Sequence, residues 1–227
     1  MQSKILSSTQ TRLTLEDLLQ RNKEWVTKIN KENPSFFENL SKGQKPKFFF
    51  LGCVDSRKSL NFITQTDLGQ LLIQRNIANQ ANPEDKSIQA SIEFALFLEV
   101  NHIVVCGHTQ CGGVALAHTC ATQPPTDSLK EVKEWVRPIV KEFQDHSNEF
   151  DNLKTDDEKL THLSKLNCLA QLKNICQTPA MQKAFESRKY PELHAWIFVM
   201  ETGLIESLEL PVTQWKAEGI LPQSYPN

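Results

Sequence analysis

Phe48-Phe49-Phe50-Leu51-Gly52-Cys53-Val54-Asp55-Ser56-Arg57 is the stretch that decides how this chain folds. Its first six residues carry no charge, and a run this short and apolar reads as a strand buried on both faces, the kind found in parallel sheets. Its carboxyl end then delivers Cys53, Asp55 and Arg57 in quick succession. In open α/β sheets, sites gather beyond the carboxyl ends of strands.

Working outward, Leu71-Leu72-Ile73 reads as a second strand, and His102-Ile103-Val104-Val105-Cys106 as a third, ended by Gly107. His194 to Met200 is a fourth, and after the Thr202-Gly203 turn Leu204 to Leu210 is expected to return antiparallel. Between them, Ser87 to Glu99 places Ile88, Ile92, Ala95 and Leu96 on successive helical turns, and Gly112-Gly113 opens a helix toward Ala121. After the Pro124-Pro125 turn, Val132, Trp135, Val136, Ile139, Val140 and Phe143 make an apolar helical face that Pro138 should kink or split. Residues 157 to 177 form a further helix through Leu160, Leu163, Leu166, Leu169 and Leu172. Strands alternating with helices predict an α/β fold with a central, largely parallel sheet flanked by helices. Upstream, residues 14 to 30 repeat Leu15, Leu18, Leu19, Val26 and Ile29 at helical spacing, with Thr14 and Asp17 as a capping pair and Asn33-Pro34 as the stop. This arm lies far from the first strand and is expected to pack on a partner subunit. No linker divides the chain, so 1–227 reads as a single domain, with 1–40 the N-terminal helical arm and 41–227 the α/β core.

Composition narrows the function. Of 227 residues, 39% are hydrophobic and 23% charged, with a formal net charge of -2; these values fit a globular protein and give no basic excess for nucleic acid. No apolar run approaches the roughly 20 residues that span a bilayer, so neither nucleic acid nor membrane is an expected partner. The N-terminus lacks a secretory core, which favours a cytoplasmic location. Its first fifteen residues contain no acid and carry Lys4 and Arg12, which makes an organelle such as the mitochondrion the alternative. Without secretion, the six cysteines (Cys53, Cys106, Cys111, Cys120, Cys168 and Cys176) point to metal binding or buried thiols before disulfides.

A second motif, His108-Thr109-Gln110-Cys111-Gly112-Gly113, follows the third strand. Thiolate and neutral imidazole are the donors zinc prefers. His108 and Cys111 are three apart at a strand–helix junction and can bend round one ion, and Cys53 supplies a third ligand from another strand. Three protein ligands leave one tetrahedral position open, as in catalytic sites. Asp55 can reach that ion or turn away from it to Arg57, whose planar fork grips a carboxylate through two bonds. The pair therefore suggests a switch: Asp55 on the metal closes the site, and Asp55 on Arg57 admits water, which the metal would make a nucleophile near neutral pH. Gly112 and Gly113 permit close backbone approach. Cys106 reads as core packing and Cys120, Cys168 and Cys176 as ordinary thiols. His102, His118, His146, His162 and His194 read as packing or surface histidines.

Cys53-x-Asp55-Ser56-Arg57, Arg75-Asn76-Ile77-Ala78-Asn79, Cys106-Gly107-His108 and Cys111-Gly112-Gly113 together resemble the β-class carbonic anhydrases, in order and spacing. Gly43-Gln44-x-Pro46, Ser91-Ile92-Glu93-Phe94, Asn167 to Asn174 and His194 to Gly203 extend the resemblance over most of the chain. It implies reversible hydration of CO2 to bicarbonate and a proton through zinc-bound hydroxide, with one Zn2+ per subunit on Cys53, His108 and Cys111. It implies catalytic roles for Asp55 and Arg57, with Asp55 the fourth ligand of a closed state. It also places Gln44 near substrate, often across a dimer interface, and implies a homodimer or dimer of dimers. The pattern departs at Lys58 and Ser59, where the family has Val and a small residue, at Leu68-Gly69-Gln70, and at Phe50, where bicarbonate-regulated members carry Trp. Those departures put a regulatory bicarbonate pocket in doubt. They also leave carbonyl sulfide or carbon disulfide as alternative substrates for the same metal set.

Overall fold

A computed structural model describes residues 13–124 and 126–226. The Lys4 and Arg12 reading and half of the Pro124-Pro125 turn fall outside the described residues. The chain divides into two units, Met1–Gln44 and Lys45–Asn227.

The first unit holds helices α1 (Leu15–Glu32) and α2 (Phe36–Leu40). The expected cap is present: Thr14 Oγ1 accepts from the Asp17 amide at 3.1 Å, and the Asp17 carboxylate accepts from the Thr14 amide at 2.9 Å. This reciprocal box satisfies amides that a helix start leaves without partners. The α1 helix has no buried residue, and Leu15, Leu18, Leu19 and Trp25 are exposed. Trp25 meets Phe37 edge-on, with ring centroids 5.3 Å apart.

The second unit is built on five strands: β1 (Phe48–Cys53), β2 (Leu71–Asn76), β3 (His102–His108), β4 (Glu192–Val199) and β5 (Leu204–Leu208). Their order is β2-β1-β3-β4-β5, parallel except for antiparallel β5. Around them run α3 (Leu60–Thr64), α4 (Lys86–Phe97), α5 (Gly112–Thr122), α6 (Lys130–Trp135), α7 (Arg137–Asp145), α8 (Asp156–Cys176), α9 (Pro179–Glu186) and α10 (Val212–Ala217), with 3-10 turns at Ile77–Asn79 and Ser147–Phe150. The α/β fold with a largely parallel, helix-flanked sheet is as the sequence predicts.

Strand alternation explains the layers. Phe49 and Leu51 of β1 and Ile103 and Val105 of β3 enter the large core with Ile88 and Ile92 of α4 and Leu172 and Ile175 of α8. Phe50, Val104 and Cys106 face the other way, with Leu60 and Trp196. Successive side chains point to opposite faces, so a double-sided apolar run is what a central strand needs. Leu163 of α8, Val136, and Ile139 of α7 close a third cluster over Cys53, Ala78 and Cys111.

Two details differ from the sequence reading, and Pro138 takes one of its two expected outcomes. β3 runs through Gly107 to His108, because the ladder with β4 continues as Gly107↔Ile197 and His108↔Phe198. Glycine is needed there for another reason: a Cβ at Gly107 would stand 2.9 Å from Cys168 Sγ and 3.1 Å from Ile197 Cδ1. Its amide donates to Cys168 Sγ at 3.0 Å, so α8 lies directly on the strand. Pro138 splits its helix: α6 ends at Trp135 and α7 starts at Arg137, with the proline in its first turn, where a missing amide costs nothing. The short helices α3, α9 and α10 carry too few turns for periodicity to announce them.

Candidate metal centre

β1 and β3 are hydrogen-bonded neighbours, so their last residues, Cys53 and His108, arrive side by side at the carboxyl edge of the sheet. The backbone then turns through Gln110, whose φ is +55°, and brings Cys111 back as the N-cap of α5. A ligand atom from each of Cys53, His108 and Cys111 lies within 4.8 Å of the others, and all three residues are buried. The two sulfurs are 3.9 Å apart. Two thiolates at about 2.3 Å from one tetrahedral zinc would stand about 3.8 Å apart, so the spacing fits.

The imidazole is oriented for the same task. His108 Nδ1 donates to the Thr109 carbonyl at 2.8 Å, which leaves Nε2 with its lone pair free. That Nε2 is buried and has no hydrogen-bond partner. A buried polar atom without a partner is costly, and native proteins rarely leave one; here it faces the two sulfurs and lies 3.8 Å from Asp55 Oδ2. The donor set and the orphaned nitrogen together fit a single zinc ion.

The two sulfurs are close enough to share a hydrogen bond. The Cys53 thiol is pulled well below the usual thiol range, chiefly by its bond with Cys111, with help from His108 and the amides of Asp55 and Ala78. Cys111 moves the other way, because Cys53 takes the negative charge first and burial opposes a second one. A cation between them would relieve that conflict.

Asp55 is gripped by Arg57. Nη2 donates to Oδ2 at 2.7 Å, and Nε and the backbone amide of Arg57 donate to Oδ1 at 3.0 and 2.9 Å. The guanidinium holds the Asp55 carboxyl down at about 2. Arg57 Nη2 also donates to the Gln110 carbonyl at 3.1 Å, which ties the dyad to the second motif. Arg75 clamps the whole β1 loop: Nε donates to the Cys53 carbonyl at 2.9 Å, and Nη2 to the carbonyls of Asp55 and Lys58 at 2.9 and 2.8 Å.

Several supporting residues were not legible as such. Thr109 is pinned by Glu201 at 3.0 Å and by the Met200 amide at 3.0 Å, and Gln110 reaches Glu201 at 2.7 Å. Lys58, a departure from the family pattern, is 1% exposed and donates to the Cys106 carbonyl without a carboxylate partner among the described residues. Gly113 abuts the 3-10 turn so closely that a Cβ would stand 2.8 Å from Ile77 Cγ2. Gln44 is the last residue of the first unit.

The protein is thus an α/β protein with a Cys–His–Cys set able to hold one metal ion beside an Asp–Arg dyad. A family model described as carbonic anhydrase matches residues 48–205. A carbonic anhydrase of Emericella nidulans is 35% identical over 198 residues, covering 87% of this chain and 84% of the relative. One from Saccharomyces cerevisiae is 30% identical over 200 residues, covering 86% and 88%. Among solved structures, a β-carbonic anhydrase of Aspergillus fumigatus is 32% identical and covers 92% of this chain and 99% of that one, at a TM-score of 0.80. One of two tetrameric β-carbonic anhydrases of Sordaria macrospora is 31% identical and covers 85% and 95%, at 0.78. The chain belongs to the β-carbonic anhydrase family.

Proposed function

We propose that this protein is a zinc-dependent carbonic anhydrase that interconverts carbon dioxide and bicarbonate. The observation that carries the reading is the orphaned His108 Nε2, aimed at Cys53 and Cys111 and bordered by the Arg57-held Asp55. Cys53, His108 and Cys111 would hold the zinc. When bound, the ion supplies the Lewis acidity that makes water a nucleophile near neutral pH.

The chain's own residues supply the rest. Arg57 keeps Asp55 anionic, so its carboxylate can accept the hydrogen bond of the attacking nucleophile and orient a lone pair toward carbon dioxide. In this reading Asp55 would turn onto the metal and close the site when Arg57 releases it; the 3.8 Å between its Oδ2 and His108 Nε2 supports that role. Arg75 fixes the loop that carries both ligand and dyad, which limits the reorganisation needed during turnover. The relatives named above are carbonic anhydrases, so we take carbon dioxide rather than a sulfur analogue as substrate.

Oligomerisation belongs to the same proposal. Exposed Leu15, Leu18, Leu19 and Trp25 on α1 suit an arm that covers a second copy of the chain. Gln44 enters through the family resemblance alone, as a substrate-facing residue.

Stopped-flow carbon dioxide hydration across pH, on protein of known zinc content, tests the reading. Turnover that rises with pH is expected. Cys53→Ala should lose zinc and activity, and Asp55→Asn should keep zinc and lose most turnover. A zinc-loaded protein inert at alkaline pH, or full zinc in Cys53→Ala, would sink it.

A further inference from the structure

The opposite edge of the sheet carries a second set of donor groups. His102 opens β3, and Glu192 and His194 open β4. The parallel register pairs His102 with Glu192, and His194 lies two residues further along, on the same face. His102 Nδ1 stands 3.1 Å from His194 Nε2 and 3.4 Å from Glu192 Oε2, and His194 Nε2 stands 3.9 Å from that oxygen. From His102 to His108 is six strand residues, so this cluster lies about 20 Å from the Cys–His–Cys set.

We infer that His102 Nδ1, His194 Nε2 and Glu192 form a second metal site, suited to zinc or a similar divalent ion. Nitrogen and oxygen ligands at about 2.0–2.1 Å from a tetrahedral zinc stand about 3.3 Å apart, and the three observed separations bracket that value. A proton can link only two of the three atoms, whereas one cation satisfies all of them at once. Two histidines and a glutamate are an established zinc donor set that leaves a position open.

The surroundings hold the donors ready. The His102 ring stacks on Phe48, with centroids 4.7 Å apart and planes 16° from parallel, which fixes the direction of its nitrogen. Burial and the neighbouring His102 push His194 below the usual histidine range, so it presents a free lone pair. Glu192 and His194 are also among the residues that line a cavity of about 800 Å³, with Glu209 and Tyr190. So far from the dyad, the ion would staple the starts of β3 and β4 and leave turnover alone.

The inference stands apart from the proposed function, and the test separates them. Equilibrium dialysis of the full-length protein against micromolar zinc should give two ions per chain. Glu192→Gln and His194→Gln should each bind one, with carbon dioxide hydration unchanged; the Glu192 side chain is exposed, so its replacement does not threaten the fold. Cobalt tells the centres apart. The first equivalent should give intense near-ultraviolet sulfur-to-cobalt bands, and the second only weak visible absorption. One zinc per wild-type chain, or two retained in either variant, overturns the inference. Absence of the near-ultraviolet bands would instead count against the Cys–His–Cys centre.

Discussion

Arg75 is where the architecture of the centre can be weighed most directly. Its guanidinium donates three hydrogen bonds, at 2.8 to 2.9 Å, to the carbonyls of Cys53, Asp55 and Lys58. A hydrogen bond from a charged donor contributes about 1.5–3 kcal/mol when enclosed. Arg75 is exposed to water, which would replace each bond in the variant. Roughly half the lower value for each bond gives about 2 kcal/mol for Arg75→Ala. Urea unfolding of the metal-free protein should register that loss as a lower midpoint at constant slope. The effect should also reach the metal: if about 1.4 kcal/mol of loop order is lost from the bound state, zinc should leave to a chelator roughly tenfold faster. Arg75→Lys should restore only part, since a point charge cannot span three carbonyls. Stability within about 0.5 kcal/mol of wild type, the scale of an ordinary surface change, together with unaltered zinc release, would refute the clamp.

The remaining predictions concern three neighbours. Lys58→Met removes a buried ammonium that has no acidic partner among the described residues; its desolvation cost exceeds one charge-assisted bond, so thermal unfolding should show a gain of about 1–2 kcal/mol, and a loss of that size would contradict the argument. Gly113→Ala drives a methyl into Ile77 and Ala78 at the start of α5, and should cost about 1–3 kcal/mol in urea and loosen zinc, with an unperturbed midpoint the contrary result. Asp55 is held at about 2 against its ordinary 3.8, so the stability it contributes is present above 3.8 and lost as pH falls through about 2. Metal-free wild type should therefore exceed metal-free Asp55→Asn in mildly acidic buffer and converge on it toward pH 2; a pH-independent difference would contradict the assignment.

Much of this was legible in the chain because short-range signals carried it. Phe48 to Cys53 could only be a doubly buried strand, Thr14 with Asp17 could cap a helix locally, and Pro138 had to interrupt its helix. The proximity of the Cys53 and His108 motifs required one further assumption, that β1 and β3 are neighbours, and they are. What escaped the sequence depends on register and tertiary approach. His102 and His194 had no motif to join them, since only the β3–β4 pairing brings them within reach. Lys58 read only as a departure from the family's Val, and it takes the tertiary structure to show its side chain buried against the Cys106 carbonyl. Glu201, 92 residues beyond Thr109, gave no sign that it braces the metal loop.

The contact between Gly107 and Cys168 also constrains how this sequence can change over generations. The bare strand at 107 and the small thiol at 168 make room for each other, with a missing Cβ at 2.9 Å from the sulfur. Position 107 cannot take a side chain until 168 has become smaller, and 168 cannot grow at all, because glycine has nothing left to give up; substitutions that spread through descendants of this chain must therefore arrive in that order. The metal ligand His108 follows immediately after, which makes drift at Cys168, deep in a helix with no role in chemistry, answerable to the geometry of the centre.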